Sequence, residues 1–160
     1  MVPLTAACIT AVALAYAPVV GDPVPVLEQD LYALLSVEGG KVGECVPNKD
    51  RAGRVTSRDC EPFQINTSNG PMLAGVFGTT TEEAMRRVTD DRCLNAHVAG
   101  WILVEKRRAA KGDRRDALGR YNSATPRLKE VYLGRVDQKR QRLFGKQAFH
   151  PDAAVDEGRR

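Results

Sequence analysis

Beyond its first twenty residues the sequence has no apolar run long enough to span a membrane. Its 4 Cys are too few for a mini-protein held together by disulfides. No internal repeat is present, so repeat architectures are excluded. With 14 Gly and 9 Pro the chain is neither collagenous nor low-complexity, and 42% hydrophobic residues against 28% charged ones mark it as globular. Its 160 residues are enough for one domain. A chain of this size buries roughly two thirds of its unfolded surface, which supports one modest core.

Charge is missing from residues 1–21 altogether. Residues 22–104 hold 8 Lys and Arg against 12 Asp and Glu, a net of −4. Residues 105–146 hold 14 against 5, a net of +9, and residues 147–160 hold 2 against 3. The overall +4 therefore belongs to one C-terminal segment. Such a segment suits a polyanion: nucleic acid, anionic lipid or an acidic wall polymer. The plainer reading is a solvated helix face.

Residues 1–20 are rich in Ala, Val and Leu and read as the apolar core of a secretory signal. Ala13-Leu14-Ala15 and Ala15-Tyr16-Ala17 both offer the small-x-small pattern of signal peptidase. Cutting after Ala15 keeps Pro18 away from the scissile bond, so the expected signal is 1–15 and the expected location is the periplasm or cell envelope. No Lys or Arg precedes the run, however, and an uncut anchor or a start codon set too late are the competing readings. Loss of 1–15 would remove Cys8 and leave Cys45, Cys60 and Cys93, an odd number for an oxidising compartment. Pairing of Cys45 with Cys60 closes a loop of about fifteen residues, worth about 3 kcal/mol.

The remaining periodicity is mainly helical. Leu27, Leu31, Leu34 and Leu35 predict a helix over 26–38 that stops at Gly39-Gly40. From 41 to 69 the chain is rich in Gly, Asn, Asp and Arg, the composition of an ordered loop region with a small hairpin around Ala52-Gly53. A short helix over 71–76 follows. Thr80 or Thr81 then caps a helix to Val88, with Glu82 and Glu83 in its first turn. Asp90 or Asp91 caps a longer helix to 110, with Leu94, Val98, Trp101, Ile102 and Glu105 at helical spacing, and Gly112 ends it. Asp113 caps a helix to Tyr121. Thr125-Pro126 opens the last one, striped by Leu128, Tyr132, Leu133, Val136 and Leu143. The domain is expected over 26–146, with 147–160 a mobile tail.

One carboxylate stands out. Glu38 ends an apolar helix beside Leu35 and Val37, and two glycines follow it. Apolar surroundings disfavour the charged form of a carboxylate, which is the condition for a general acid near neutral pH. The glycines let a long substrate approach closely. Taken alone, a Glu before Gly-Gly is more often a solvated helix end.

Three further segments add to it: Asp59-Cys60-Glu61-Pro62-Phe63-Gln64-Ile65-Asn66; Cys93-Leu94-Asn95-Ala96 leading into Gly100-Trp101-Ile102-Leu103; and Tyr121-Asn122-Ser123-Ala124-Thr125-Pro126-Arg127. Together with Val37-Glu38-Gly39-Gly40 and Asn48, this set in this order resembles a soluble lytic transglycosylase domain, most similar to the small exported ones that accompany conjugation, type IV secretion or pilus machineries. The resemblance covers residues 27–137. It implies a lysozyme-like fold of the α+β superfamily, mainly α, with a loop or small hairpin insert. It also implies peptidoglycan glycan strands as substrate, components of those machineries as partners, no nucleic acid, no metal and no cofactor. Glu38 matches the single catalytic acid/base. Gln64 and Asn66 match residues lining the sugar cleft, Tyr121 and Asn122 match a Tyr-Asn pair at the cleft, and Asn95 matches a structural Asn. The chain departs from the family pattern at Glu61, usually Gly, at Phe63, usually Met, and at Gly39, often Ser.

The resemblance implies that Glu38 protonates the glycosidic oxygen between N-acetylmuramic acid and N-acetylglucosamine. It then takes the proton of the muramic acid's own 6-hydroxyl, closing a 1,6-anhydro ring. Two alternatives are open. A muramidase would use water and a second carboxylate, for which Glu61 is the candidate. A non-enzymatic basic helical module would bind nucleic acid or a secretion partner through the +9 segment. Asp59 reads as a structural turn residue. Cys93 and His97 with Cys45 and Cys60 form a nominal zinc set lacking a short Cys pair, and Trp101 reads as core.

Overall fold

The structure is a computed structural model and describes residues 4–39 and 44–147. Gly40 and the expected tail from 148 onward, His150 included, lie outside the described residues. In chain order the elements are α1 (Ala6–Val20), α2 (Val24–Glu38), β1 (Cys45–Lys49), β2 (Val55–Cys60), β3 (Ile65–Asn66), α3 (Gly70–Phe77), α4 (Thr81–Asp90), α5 (Arg92–Ala109), α6 (Arg114–Asn122) and α7 (Pro126–Phe144). The expectation of a mainly helical chain with a small hairpin insert holds. The insert is a three-stranded antiparallel sheet in the order β1-β2-β3. No single helix among the described residues is long and apolar enough to cross a membrane.

The chain divides into two compact units. The first joins the start of α1, through Ile9, to Glu38–Ala99. Its hairpin sets Cys45 opposite Cys60, Val46 opposite Asp59 and Asn48 opposite Ser57, and β3 returns with Asn66 opposite Asp59. The turn forms because the Asp50 carboxylate accepts the N–H groups of Ala52 (2.8 Å) and Arg54 (3.0 Å). Cys45 and Cys60 are bonded, as loop length suggests, and Cys93 is bonded to Cys8. The cysteines of the nominal zinc set are thus held in disulfides. Thr80 caps α4 by accepting the Glu83 N–H at 3.2 Å, and Asp91 accepts the Leu94 N–H at 2.9 Å at the head of α5. Phe63, Ile65 and Val88 form the fully buried apolar centre.

The second unit joins Thr10–Val37 to the residues from Gly100 on. The segment that reads as a signal peptide is α1, and its inward face is core: Ile9, in the first unit, and Val12, Ala13 and Ala17, in the second, are at most 1% exposed. A Cβ on Gly100 of α5 would lie 2.5 Å from a Tyr16 ring carbon and 2.7 Å from Val12 Cγ1, so only glycine admits α1 there. The Thr10 hydroxyl donates to Glu28 at 2.6 Å. α1 ends at Gly21, whose φ of +77° turns the chain towards α2. A cut after Ala15 would take away Cys8, Ile9, Val12 and Ala13.

Charge is buried in this unit. Asp30, 1% exposed, accepts from Arg114 through two bonds (2.8 and 2.5 Å) and from Arg140. Arg107 donates to Asp22 at 2.7 Å. Burial pushes the Asp22 carboxyl above its ordinary range, against the downward pull of Arg107 and Arg114.

Two expectations need correcting here. The stripe of α7 buries Tyr132, Leu133 and Val136 but then continues to Arg140, while Leu128 and Leu143 are 54% and 49% exposed. Arg140 lies four residues past Val136, on the same face, and Asp30 compensates its charge there. On α5 the most deeply buried positions are Asn95, Ala96 and Ala99, and Trp101 is only half-buried. Half of the 14 Lys and Arg of the +9 segment are held in ion pairs. Arg107, Arg108, Arg114, Arg115, Arg120, Lys129 and Arg140 all pair with carboxylates.

Candidate functional site

The β2–β3 connection is too tight to satisfy its backbone by strand pairing, and a buried side chain does it instead. Asn95, 0% exposed in the first turn of α5, accepts the Phe63 N–H at 3.1 Å. Its Nδ2 faces the carbonyls of Cys60 (3.3 Å), Glu61 (3.0 Å) and Val88 (3.4 Å). A neutral amide, donor on one side and acceptor on the other, suits a loop that presents both kinds of group. The structural role expected of Asn95 is borne out.

That anchoring sets up Gln64. Its φ is +53°, in the left-handed region where a non-glycine residue costs roughly 1 kcal/mol or more, so the surrounding bonds must hold it. The Gln64 Nε2 donates to the Glu61 carboxylate and lies 3.4 Å from the backbone carbonyl oxygen of Glu38. Glu38 is the last residue of α2, where carbonyls lack intrahelical partners, so Gln64 caps the helix that carries the candidate acid. The Glu38 side chain is half-buried, whereas Glu61 is 2% exposed. Sequence reasoning left Glu61 unsettled; its burial beside Gln64 depends on the Asn95-anchored loop, which no local pattern reveals.

Asn66 is engaged within the sheet. Its Nδ2 donates to Asp59 (2.7 Å) and Ser57 (3.1 Å), and its Oδ1 accepts the Ser68 N–H at 2.9 Å. The side chain is committed to the sheet and to the turn after it. Asn48 mirrors it from β1, donating to Asp59 (2.8 Å) and Ser57 (3.2 Å). Ser57 and Asp59 share one face of β2, so two flanking amides brace the hairpin from either side. Asp59 is therefore structural, but in a strand rather than a turn. Ser57 went unnoticed in the sequence, and its signal was the Ser-x-Asp alternation opposite two Asn.

Tyr121 and Asn122 close α6 in the second unit, the first half-buried and the second exposed. Glu38, Gln64 and Asn66 belong to the first. What the first unit brings together is thus a half-buried carboxylate at a helix end, a constrained amide touching that residue, and a buried second carboxylate behind the amide. No protein-family model matches the chain, and no curated protein matches it in sequence.

Proposed function

We propose that this protein is a peptidoglycan lytic transglycosylase, cutting between N-acetylmuramic acid and N-acetylglucosamine to open the wall locally for a secretion, conjugation or pilus apparatus. The observation that carries the reading is the setting of Glu38: half-buried at the end of an apolar helix and capped by Gln64, whose loop Asn95 anchors. In this reaction Glu38 gives its proton to the glycosidic oxygen as the bond to C1 breaks. The neighbouring N-acetyl carbonyl stabilises the charge at C1. The Glu38 carboxylate then takes the proton of the same sugar's 6-hydroxyl while that oxygen bonds to C1. The proton returns to Glu38 and no water is consumed. An intramolecular nucleophile gains the proximity that external water lacks.

The proposal includes export to the periplasm or envelope, with the two disulfides as weak support. It further holds that the exported protein keeps α1, the reading that accounts for its buried face and for the pairing of Cys8. Mass analysis of muropeptides after digestion of purified walls tests the activity. Anhydro products are expected. Hydrated products would make it a muramidase, and no products would leave a binding module. Glu38→Gln keeps the shape and removes the proton; it should lower the rate by roughly 10²–10⁴-fold. Retention of more than a tenth of the rate would exclude Glu38 as the acid.

A further inference from the structure

We propose that Glu61 is a positioning residue: its buried carboxylate fixes which way round the Gln64 amide stands, and so makes Gln64 accept, rather than donate, a hydrogen bond from the ligand. This rests on the reading of the site as a glycan-cleaving one. Glu61 is held firmly, since its N–H donates to the Glu44 carbonyl at 3.2 Å and its own carbonyl accepts from Asn95 at 3.0 Å. Gln64 Nε2 faces two oxygens at once, the Glu61 carboxylate and the Glu38 backbone carbonyl. A backbone carbonyl accepts only, and the Glu61 oxygen that faces Nε2 accepts its hydrogen. Both demand the NH₂ side of the amide. Turning the amide over would set its oxygen against two acceptors and leave buried oxygens without donors. The oxygen Oε1 is therefore what Gln64 offers to a ligand.

The group that fits an amide oxygen is a donor: a sugar hydroxyl or the acetamido N–H of an amino sugar. A carboxylate or phosphate, which only accepts, is rejected. Glycine at this position could not impose the choice, so the polarity of the site is a property of Glu61 in this chain. The side-chain amide of a glutamine can stand either way round in a site without such acceptors.

The test uses chitotetraose, an uncharged N-acetylglucosamine oligomer, with the full chain. In the wild type, NMR should show slowly exchanging Gln64 side-chain amide protons with a through-hydrogen-bond coupling to the Glu61 carboxylate carbon. Ordinary exposed-amide shifts and fast exchange there would overturn the proposal without any variant. Glu61→Gln, whose own amide can serve either face of Gln64, should lose that signature and bind chitotetraose about tenfold more weakly, at a nearly unchanged melting temperature. Wild-type affinity in that variant would also overturn the proposal. Muropeptide products from the wild type report on the enzymatic reading separately. Binding with the amide signature but no wall products would remove the lyase reading and leave the positioning intact.

Discussion

Each of the two units is held together internally by its own chemistry. Both disulfides lie in the first, and its described ion pairs, Asp50–Arg54, Glu83–Arg86, Glu83–Arg87 and Asp90–Arg86, join residues within a turn of each other. Its long-range polar links run through neutral amides: Asn95, Gln64, Asn66 and Asn48. The second unit contains no cysteine, and its ends are drawn together by Asp22–Arg107, Asp30–Arg114 and Asp30–Arg140. The contrast follows from what each must do. Amides aim individual donors and acceptors with little desolvation cost, which suits a site. Buried ion pairs bind strongly only when every partner is present, which suits a scaffold.

The sharpest test of this contrast is Arg140→Glu. It would set a second carboxylate against buried Asp30, and urea unfolding should show a loss of about 3–5 kcal/mol. Arg142→Glu, two residues on and exposed, should stay within about 0.5 kcal/mol. Equal effects would mean that Arg140 belongs to a solvated basic face after all. Next in size, Cys45→Ser with Cys60→Ser should cost about 2–4 kcal/mol. Hydrogen exchange should report the loss in β1–β3 and leave α6 and α7 protected. Uniform loss would show that the units do not melt separately.

Gly100→Val forces a branched side chain into the space of Val12 and Tyr16, and about 1–3 kcal/mol should be lost. If α1 is removed on export, the substitution should instead be almost silent in periplasmic material, and peptide mapping should find Cys93 without Cys8. The smallest effect is electrostatic and local. Arg86 and Arg87 hold the Glu83 carboxyl down from 4.5 to about 2. A depressed carboxylate supports the fold above its unfolded value and loses that support as pH falls from 4.5 towards about 2. The pair is exposed, so screening keeps the effect small. An NMR titration of Glu83 with a midpoint above 4 would remove it.

How legible was all this? The helix ends were, because Thr80, Asp91, Asp113 and Pro126 act on backbone within three residues of themselves. The hairpin at Ala52-Gly53 was legible for the same reason, since Asp50 acts on the N–H groups of Ala52 and Arg54. Arg140 was not: in the sequence it sits in a basic run, and only Asp30, 110 residues away, gives it a reason to be buried. β3 is two residues long and exists only through its pairing with β2. Composition alone does not separate the two readings of α1, since a buried core helix and a secretory segment are both uncharged runs of Ala, Val and Leu. Within the candidate site, Asn95 was placed correctly as structural. The bonds of Asn66 to Ser57 and Asp59 were not legible, because they depend on those two residues sharing a strand face.

The nesting of the two bridges bears on how the protein is made. Four cysteines can pair in three ways, and here the outermost two join each other, as do the inner two. A chain that emerges into an oxidising compartment from its N-terminus exposes Cys8 first and Cys45 next. Pairing in order of arrival would join these two and strand the rest in the wrong partnership. The native pattern requires Cys8 to wait until 85 further residues have followed, with α1 already docked to hold it in place. Otherwise thiol–disulfide exchange must undo the early bond. If the chain folds in such a compartment, it needs an isomerase as well as an oxidant, and yields in an oxidising host should rise with the supply of the former.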